Sequence, residues 1–357
     1  MMRRLTRLFF VITLAVVQFL MPYALSAEPN DLALQRYAGW GTACNEDPSC
    51  VIVGGTHVLV WKSIKSKNII VVCIHGLGLC AKAYKPLGKD LSEAGIDGFA
   101  VNVRGFGPDR NQVQRSKLDC LKTVDDVSRL LQGLRNERPE SRIVLVGESM
   151  GGALAIRIAS QNPELVDGVI CSAPAWKLQK VAKTAVKGVF ELTFFRRARP
   201  GPAGKGVMRQ ATSDVDLTEH WISDRSHKLR LSLAEATSFL NFVKKTKQYA
   251  RQIEKPLLIV QGMNDQLVSP SSVCKLFRSI PSRQKTLLID CKGEHLLLEE
   301  GQYTSALLEE IIDWLTQQTV QESEPRIASL QCHELSKKQH KRLAHLIRLG
   351  RAGECKP

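Results

Sequence analysis

Residues 142–153 read RIVLVGESMGGA, and this stretch joins an apolar, β-branched run to a helix-like segment through a glycine-rich turn. The run from Arg142 to Gly147 is short and uninterrupted, which is typical of a strand buried on both faces of a parallel sheet. Residues 151–161 continue at helical spacing. We therefore predict a sharp strand-to-helix turn with Ser149 at its tip, where flanking glycines keep side chains away from a crowded backbone.

Segments of the same two kinds alternate along the chain between residues 57 and 317. The strand-like runs are residues 68–75, 98–104, 142–147, 166–171, 256–261 and 285–290, and the helix-like segments include 123–137, 151–161 and 305–316. This alternation predicts an α/β fold with a mostly parallel sheet and helices on both of its faces. We expect residues 28–175 and 251–319 to form that core.

The alternation is interrupted once, where about 80 residues separate two strand-like runs, which is too long for a plain loop. We predict that residues 176–250 form an inserted helical cap. Residues 177–189 place apolar side chains on one helical face and four lysines on the other, and residues 231–249 predict a second helix. The basic face either contacts an anionic membrane surface or is simply solvated while the apolar face packs on the core.

Ser149 lies in the pattern Gly-x-Ser-x-Gly between a predicted strand and a predicted helix, which is the context of a nucleophile elbow. The alternative is a chance turn of the same composition. Residues 75–78 (HGLG) end an earlier strand and form either an ordinary strand-ending turn or an oxyanion loop. In the second case, the backbone N–H groups of Leu77 and Met150 would form the oxyanion hole, and His75 would support the loop.

An acid and a histidine follow two later strands. Asp265 ends the segment GMND, residues 262–265, and His295 ends GEH, residues 293–295. The order Ser149, Asp265, His295 predicts a catalytic triad in which the acid orients the histidine and the histidine removes the serine proton. An Asx turn is the alternative for Asp265, and Asp290 is the competing acid.

The first 27 residues resemble a signal peptide, with three arginines, an apolar run and small residues at a cleavage site. The alternative is an uncleaved membrane anchor. The net charge is +15, and removing these three arginines leaves +12, which favours anionic partners such as a membrane surface. We expect an exported protein, periplasmic or secreted, that does not bind nucleic acid, because no nucleic-acid motif is present.

All ten cysteines follow residue 27, and an exported chain would allow disulfides. We predict the pairs Cys44–Cys50 and Cys332–Cys355, although spacing alone does not fix the connectivity. Cys73 and Cys171 are expected to be buried thiols. No cysteine or histidine cluster has the spacing of a structural zinc site. Residues 320–357 predict a basic C-terminal tail that is solvated or lightly docked.

Several motifs together resemble the α/β-hydrolase superfamily, and within it the monoacylglycerol lipase and lysophospholipase-like group. They are HGLG (75–78), NVRGFG (102–107), GESMGG (147–152), QGMND (261–265) and GEH (293–295). The chain departs from this group at Asn102 and Phe106, where Asp and His are frequent. It also departs at Glu148, where His is usual, and at residues 79–81, which line the entrance of the site in that group.

This resemblance implies an α/β-hydrolase that cleaves carboxylic esters of lipid-like acyl substrates without a cofactor or metal. Three rival hypotheses share the fold: a serine peptidase, an acyltransferase, and a binding protein without catalysis. Preference for amides over esters would indicate the first. Failure of a fluorophosphonate to label Ser149 would indicate the last.

Overall fold

The computed structural model describes residues 50–53, 56–178, 210–224, 231–317, 325–333 and 335–351. The predicted signal peptide, the predicted basic helix beyond residue 178, Cys44 and Cys355 lie outside these ranges. None of the helices within these ranges is both long enough and apolar enough to cross a lipid bilayer.

Nine described strands form one sheet, in the order β1-β2-β4-β3-β5-β6-β7-β8-β9. They are β1 (Cys50–Val53), β2 (Thr56–Trp61), β3 (Ile69–Ile74), β4 (Asp97–Val101), β5 (Arg142–Glu148), β6 (Gly168–Ser172), β7 (Leu257–Gly262), β8 (Lys285–Asp290) and β9 (Arg326–Leu330). The pairs β1–β2 and β2–β4 are antiparallel, and all other neighbours are parallel. The prediction of a mostly parallel sheet is therefore confirmed, and β3 to β8 correspond to the six predicted strands.

The described α-helices connect these strands. They are α1 (Lys85–Glu93), α2 (Cys120–Glu137), α3 (Met150–Gln161), α4 (Val215–Ser223), α5 (Leu233–Lys244), α6 (Thr246–Ala250), α7 (Pro270–Arg278), α8 (Ser305–Thr316) and α9 (Lys337–Arg351). Short 3-10 helices occupy Ala81–Tyr84 and Gly107–Asn111. Side-chain caps fix several starts: Asp119 accepts a hydrogen bond from the N–H of Lys122 at the start of α2 (3.0 Å).

The core lies on both faces of the sheet. Every residue of β3 is buried, although successive side chains of a strand point to opposite faces. Val71 and Cys73 belong to a cluster with residues of α1 and α8, so these two helices cover one face. Helix α3 packs against β3, β5 and β6 together with α2 and α6. Burying each large apolar side chain of this kind stabilises the fold by about 1.5–3 kcal/mol.

The C-terminal segment differs from the predicted basic tail. Residues 326–330 form β9, which pairs in parallel with β8, and α9 then packs against α7. A disulfide joins Cys291, just after β8, to Cys332, just after β9. The predicted pair Cys332–Cys355 is therefore wrong, and residues 326–351 are not a solvated tail, because they add a strand and a helix to the core. The strand is only partly buried at the sheet edge, so its apolar signal in the sequence is weak.

The segment between β6 and β7 was predicted to form one cap over residues 176–250, and the structure differs at the end of that segment. Helices α5 and α6 coincide with the predicted helix at 231–249, but α6 packs against α3 of the core. The guanidinium of Arg157 on α3 stacks over the rings of Phe242 and Tyr249, 5.2 and 4.6 Å from their centroids. The predicted boundary at residue 250 is therefore too far along the chain, because a parallel crossover to β7 needs a helix on the sheet.

Candidate active site

The turn after β5 has the geometry of a strained strand-to-helix junction. Ser149 has φ 52° and ψ −109°, which is rare for a residue other than glycine. Its N–H donates to the carbonyl of Ser172 on β6 (2.9 Å). A Cβ on Gly151 would lie 1.8 Å from the carbonyl oxygen of Ile74, and one on Gly147 would lie 2.2 Å from that of Gly151. Only glycine fits at these two positions, and the half-buried Ser149 lies between them.

Asp265 and His295 form a buried pair. The Nδ1 atom of His295 lies 2.9 Å from Oδ2 of Asp265, and both side chains are almost completely buried. Asp265 also accepts hydrogen bonds from Gln261 Nε2 (3.0 Å) and from the N–H groups of Leu267 (2.8 Å) and Val268 (2.9 Å). Because these donors favour the carboxylate, Nδ1 of His295 carries the donated proton and Nε2 is left as the basic atom.

The electrostatic surroundings raise the pKa of His295 above its ordinary value. Burial opposes protonation of the ring, but the charge and hydrogen bond of Asp265, with a further contribution from Glu148, outweigh this effect. The competing acid, Asp290, has a different position. Its Oδ1 accepts from the N–H groups of Lys292 (3.0 Å) and Gly293 (2.8 Å), so it shapes the loop that leads to His295. Asp265 therefore acts both in its own turn and as the partner of the histidine.

The loop after β3 lies beside the elbow. His75 accepts the N–H of Val103 at Nε2 (3.0 Å) and donates from Nδ1 to the carbonyl of Gly76 (2.8 Å). This geometry gives His75 the supporting role predicted for it and fixes its tautomer. A Cβ on Gly76 would lie 3.7 Å from the Cβ of Ser149. Leu77 follows, half-buried, and Met150 is the first residue of α3.

Asn102, one of the departures from the resembled group, anchors the same region. Its Oδ1 accepts the N–H of Ala81 (3.0 Å), and its Nδ2 contacts the carbonyl of His57 (3.4 Å). The following Arg104 binds Asp126 through two hydrogen bonds of 2.6 and 2.8 Å. The amide of Asn102 thus joins the loop after β3 to the start of β2.

The elbow and the histidine loop are joined by Glu148, a residue that sequence reasoning noted only as a departure. Its Oε1 accepts from Ser172 Oγ (2.5 Å) and the N–H of Leu297 (2.7 Å). Its Oε2 accepts from the N–H groups of Leu298 (3.2 Å) and Glu299 (3.0 Å). Three of these four hydrogen bonds fix the segment after His295 to the residue before Ser149, and the fourth ties that residue to β6. The sequence carries no signal for this contact, because 149 residues separate its ends.

Part of the inserted segment covers these loops with apolar side chains. A small buried cluster contains Leu79, Ala83, Ala211, Trp221 and Leu296, with Leu217, Ile222 and Leu267 packed against it. Its members include residues next to Asp265 and His295 and residues of the loop after β3. The N–H of Ser213 also donates to Oε2 of Glu294 (2.6 Å). The described cap residues thus place an apolar surface against the site.

The described residues contain no group of three or more histidine, cysteine or acidic side chains that could hold a metal ion. The chemistry of the site as described lies in a serine, a histidine and carboxyl groups, a set suited to nucleophilic catalysis with proton transfer.

The family model for serine aminopeptidases, S33, matches residues 65–302. The chain belongs to the serine aminopeptidase S33 family. Human monoglyceride lipase is 25% identical to this S33-family chain over 265 residues, which cover 72% of the chain and 86% of that relative. Monoacylglycerol lipase of Mycolicibacterium smegmatis is 23% identical over 268 residues, which cover 74% of this chain and 94% of that relative.

Two solved structures share the fold of this chain. Monoacylglycerol lipase of Paleococcus ferrophilus has a TM-score of 0.59 and 24% identity, covering 73% of this chain and 98% of that structure. A soluble variant of monoglyceride lipase from Saccharomyces cerevisiae, in complex with a substrate analogue, has a TM-score of 0.62 and 21% identity, covering 74% and 93%. The α/β-hydrolase fold and the predicted lipase-like group are confirmed, and this S33-family chain is a serine hydrolase.

Proposed function

We propose that the protein hydrolyses carboxylic esters of lipid-like acyl substrates through Ser149, His295 and Asp265. The observation that carries this proposal is the buried Asp265–His295 hydrogen bond, because the loop of His295 is in turn bound through Leu297 to Glu148, the residue before Ser149. Asp265 orients the imidazole, and the raised pKa of His295 favours the proton transfer that makes the serine nucleophilic.

The proposed reaction has two halves. Ser149 Oγ attacks the ester carbonyl carbon while Nε2 of His295 takes its proton, and the carbonyl oxygen becomes an oxyanion. The C–O bond to the alcohol then breaks, and His295 returns the proton to the leaving alcohol. Water attacks the resulting acyl-enzyme, again losing a proton to His295, and the carboxylic acid leaves as Ser149 regains its hydrogen.

The N–H groups of Leu77 and Met150 are the proposed oxyanion donors. Met150 begins α3, so its amide lies at the helix end where the backbone dipole favours negative charge. Leu77 follows Gly76, whose approach to the Cβ of Ser149 brings this loop near the nucleophile. Donors fixed before the reaction stabilise the developing charge without reorganisation during it.

A lipid-like acyl group is the proposed substrate class for two reasons. The relatives named above are monoglyceride or monoacylglycerol lipases. In addition, the cluster around Trp221, Leu79 and Leu296 places apolar side chains beside the loops that carry the histidine and the oxyanion donors. A site lined in this way favours an alkyl chain over a polar substituent.

Peptide hydrolysis is the second candidate, because the matching family is described as serine aminopeptidase. The same triad and acyl-enzyme would serve both reactions, and they differ in the leaving group. Turnover of paired ester and amide substrates with the same acyl group separates them. A higher kcat/KM on the amide would favour the peptidase.

We also propose that the protein is exported through residues 1–27. The apolar start of the sequence and the disulfide Cys291–Cys332 both support an oxidising compartment. The mass of the protein recovered from its native host tests this proposal. Cleavage after Ser26 or Ala27 is expected, and an intact chain would favour an anchor.

A panel of esters with graded acyl length, offered to the wild type and to Ser149→Ala, tests the proposed activity. We expect the substitution to lower kcat by at least about 10³-fold, because the nucleophile is removed. Ser160→Ala, at the other end of α3, is the matched control, since its hydroxyl donates to the carbonyl of Arg157 within the same helix (2.8 Å). Equal turnover by wild type and Ser149→Ala would exclude the mechanism.

A further inference from the structure

Two acidic side chains, Glu148 and Glu299, are completely buried where the three loops of the site meet. Glu148 joins the elbow to the histidine loop, as described above. Glu299, four residues after His295, joins the histidine loop to the loop after β3, because its Oε1 accepts the N–H of Gly76 (2.8 Å). Together these two carboxyl groups connect all three segments that the proposed reaction uses.

The two carboxyl groups differ in the number of hydrogen bonds that they accept. Each oxygen of Glu148 accepts two donors, and three of the four donors are backbone N–H groups that cannot reverse their direction. If Glu148 were protonated, its O–H would point at one of these backbone donors, unless the hydroxyl of Ser172 turned to accept it. Glu299 has one bond on Oε1, and its buried Oε2 has no hydrogen-bond partner among the described residues. Such an environment suits an anion at Glu148 and a neutral acid at Glu299.

The electrostatics agree with this assignment. Burial raises the pKa of Glu299 well above its ordinary value, and the charge of Glu148 raises it further. Burial also raises the pKa of Glu148, but hydrogen bonds from Ser172 and Leu297 and the nearby His295 favour its anion. The other titratable groups that face this pair are Cys73 from β3, Tyr84 from the first 3-10 helix, and Glu300 beside Glu299. Burial raises the pKa of Cys73 and Tyr84, so these two groups add little charge at neutral pH, whereas the charge of Glu300 raises the pKa of Glu299 further.

We propose that Glu148, as a carboxylate, and Glu299, as a neutral acid, form a positioning pair that aligns the three loops and places one fixed negative charge near His295. This inference rests on the proposed function of Ser149 and His295. Neither acid is assigned a contact with the substrate, so both act through the histidine and the backbone of the loops.

The charge of Glu148 has a direct consequence for the reaction. His295 becomes positive when it takes the serine proton, and negative charge nearby stabilises that state. Asp265 supplies one such charge through its hydrogen bond, and Glu148 supplies a second without bonding the ring. A neutral side chain at position 148 would therefore make His295 a weaker base.

The test compares two isosteric substitutions, Glu148→Gln and Glu299→Gln, by following kcat and KM across pH on one short-chain ester. We expect Glu148→Gln to lower kcat about tenfold, which is a part of the ~10²–10⁴-fold effect of general acid–base catalysis. Because His295 becomes a weaker base, the acidic limb of kcat/KM should also move to lower pH. Glu299→Gln replaces a neutral acid by a neutral amide, so its acidic limb should stay at the wild-type pH. Asp97→Asn, another buried carboxylate at the opposite edge of the sheet, controls for a general loss of stability.

An acidic limb that stays in place in Glu148→Gln, or that moves equally in Glu299→Gln, would overturn the proposal. A second measurement needs neither activity nor a folded Glu148→Gln. The infrared difference spectrum of wild type minus Glu299→Gln at neutral pH should contain the carbonyl band of a protonated carboxylic acid, and a carboxylate band instead would exclude the neutral Glu299. Failure of the proposed function looks different, because Ser149→Ala would then retain wild-type turnover.

Discussion

The two edges of the central sheet hold their acidic side chains in different ways. At the amino edge, where the parallel strands begin, Asp97 pairs with Arg138, and Asp167 pairs with Arg135 at 2.5 Å. These acids also accept hydrogen bonds from nearby backbone, such as the N–H of Ile143 to Asp167 (2.8 Å). Charge at this edge is largely balanced by guanidinium groups, and its role is to join strand ends and helix ends.

At the carboxyl edge the acids have other partners. Asp265 accepts from an amide side chain, two backbone N–H groups and His295, and Glu148 accepts from three backbone N–H groups and a serine. Peptide and hydroxyl donors stabilise a carboxylate without cancelling its charge. The imidazole therefore experiences uncompensated negative charge, which raises its pKa. The comparison teaches that acids paired with arginine stabilise structure in this fold, whereas acids that lie near the imidazole and have only neutral donors besides it raise its pKa.

The strongest test of this difference is Asp265→Asn. The amide can no longer hold the Nδ1 proton of His295 in the same way, so the imidazole loses both its orientation and its charge partner. We expect kcat on a good ester to fall by roughly 10³–10⁴-fold with little change in KM. Steady-state kinetics with active-site titration by a fluorophosphonate measures this effect.

Asp290→Asn is the control for Asp265→Asn, because Asp290 is also buried at the carboxyl edge and binds backbone N–H groups rather than His295. Its loss of kcat should be far smaller. Similar losses from the two substitutions would mean that the carboxyl edge needs its acids for shape and not for charge.

Sequence reasoning predicted the central strands and the serine elbow because both depend on local patterns. Runs such as residues 142–147 are apolar throughout, and the glycines around Ser149 are required within a few residues of it. The pairing of Asp265 with His295 also followed from chain order and strand ends. The strands β1, β2 and β9 were not predicted, and for β9 the reason is that a partly exposed edge strand carries little periodicity.

The remaining parts depend on contacts that no local pattern records. Glu299 lies in the run LLLEE, where an acid next to another acid suggests a solvated turn, yet its side chain is completely buried against Gly76. Likewise, Cys332 had plausible partners on both sides in the sequence. Only the parallel pairing of β9 with β8 brings it to Cys291, at a Cα–Cα distance of 5.2 Å.

The disulfide Cys291–Cys332 gives the second test, because it lies at the carboxyl edge, just after β8 and β9. It closes a loop of 41 residues that includes His295 and α8. We expect Cys332→Ser to lower the free energy of unfolding by about 2–4 kcal/mol, since the unfolded chain regains the freedom of that loop. Urea unfolding of the oxidised protein measures the change.

Reduction provides the control for Cys332→Ser. A reductant should destabilise the wild type more than it destabilises Cys332→Ser, and the difference should match the effect of the substitution. Cys274→Ser is a matched substitution, because Cys274 is a free buried thiol on α7, so this variant keeps the disulfide and should lose as much stability on reduction as the wild type. Equal losses of stability on reduction in the wild type and in Cys332→Ser would contradict this disulfide.

The amino edge gives the smallest expected effect, through Asp97→Asn. Asp97 is 3% exposed and accepts from the N–H and the hydroxyl of Ser63 (2.8 and 2.7 Å) as well as from Arg138. The asparagine oxygen can keep the bonds to Ser63, whereas the half-exposed guanidinium loses its charge partner. We expect the free energy of unfolding to fall by about 1–3 kcal/mol, with kcat and the acidic limb of kcat/KM unchanged.

Glu93→Gln is the control for Asp97→Asn, because Glu93 forms a solvent-exposed pair with Lys89 (3.8 Å). Water screens that pair, so the substitution should lower the free energy of unfolding by less than about 0.5 kcal/mol. If Asp97→Asn moved the acidic limb, the two edges would share one electrostatic field, and the separation between structural and catalytic carboxylates would not hold.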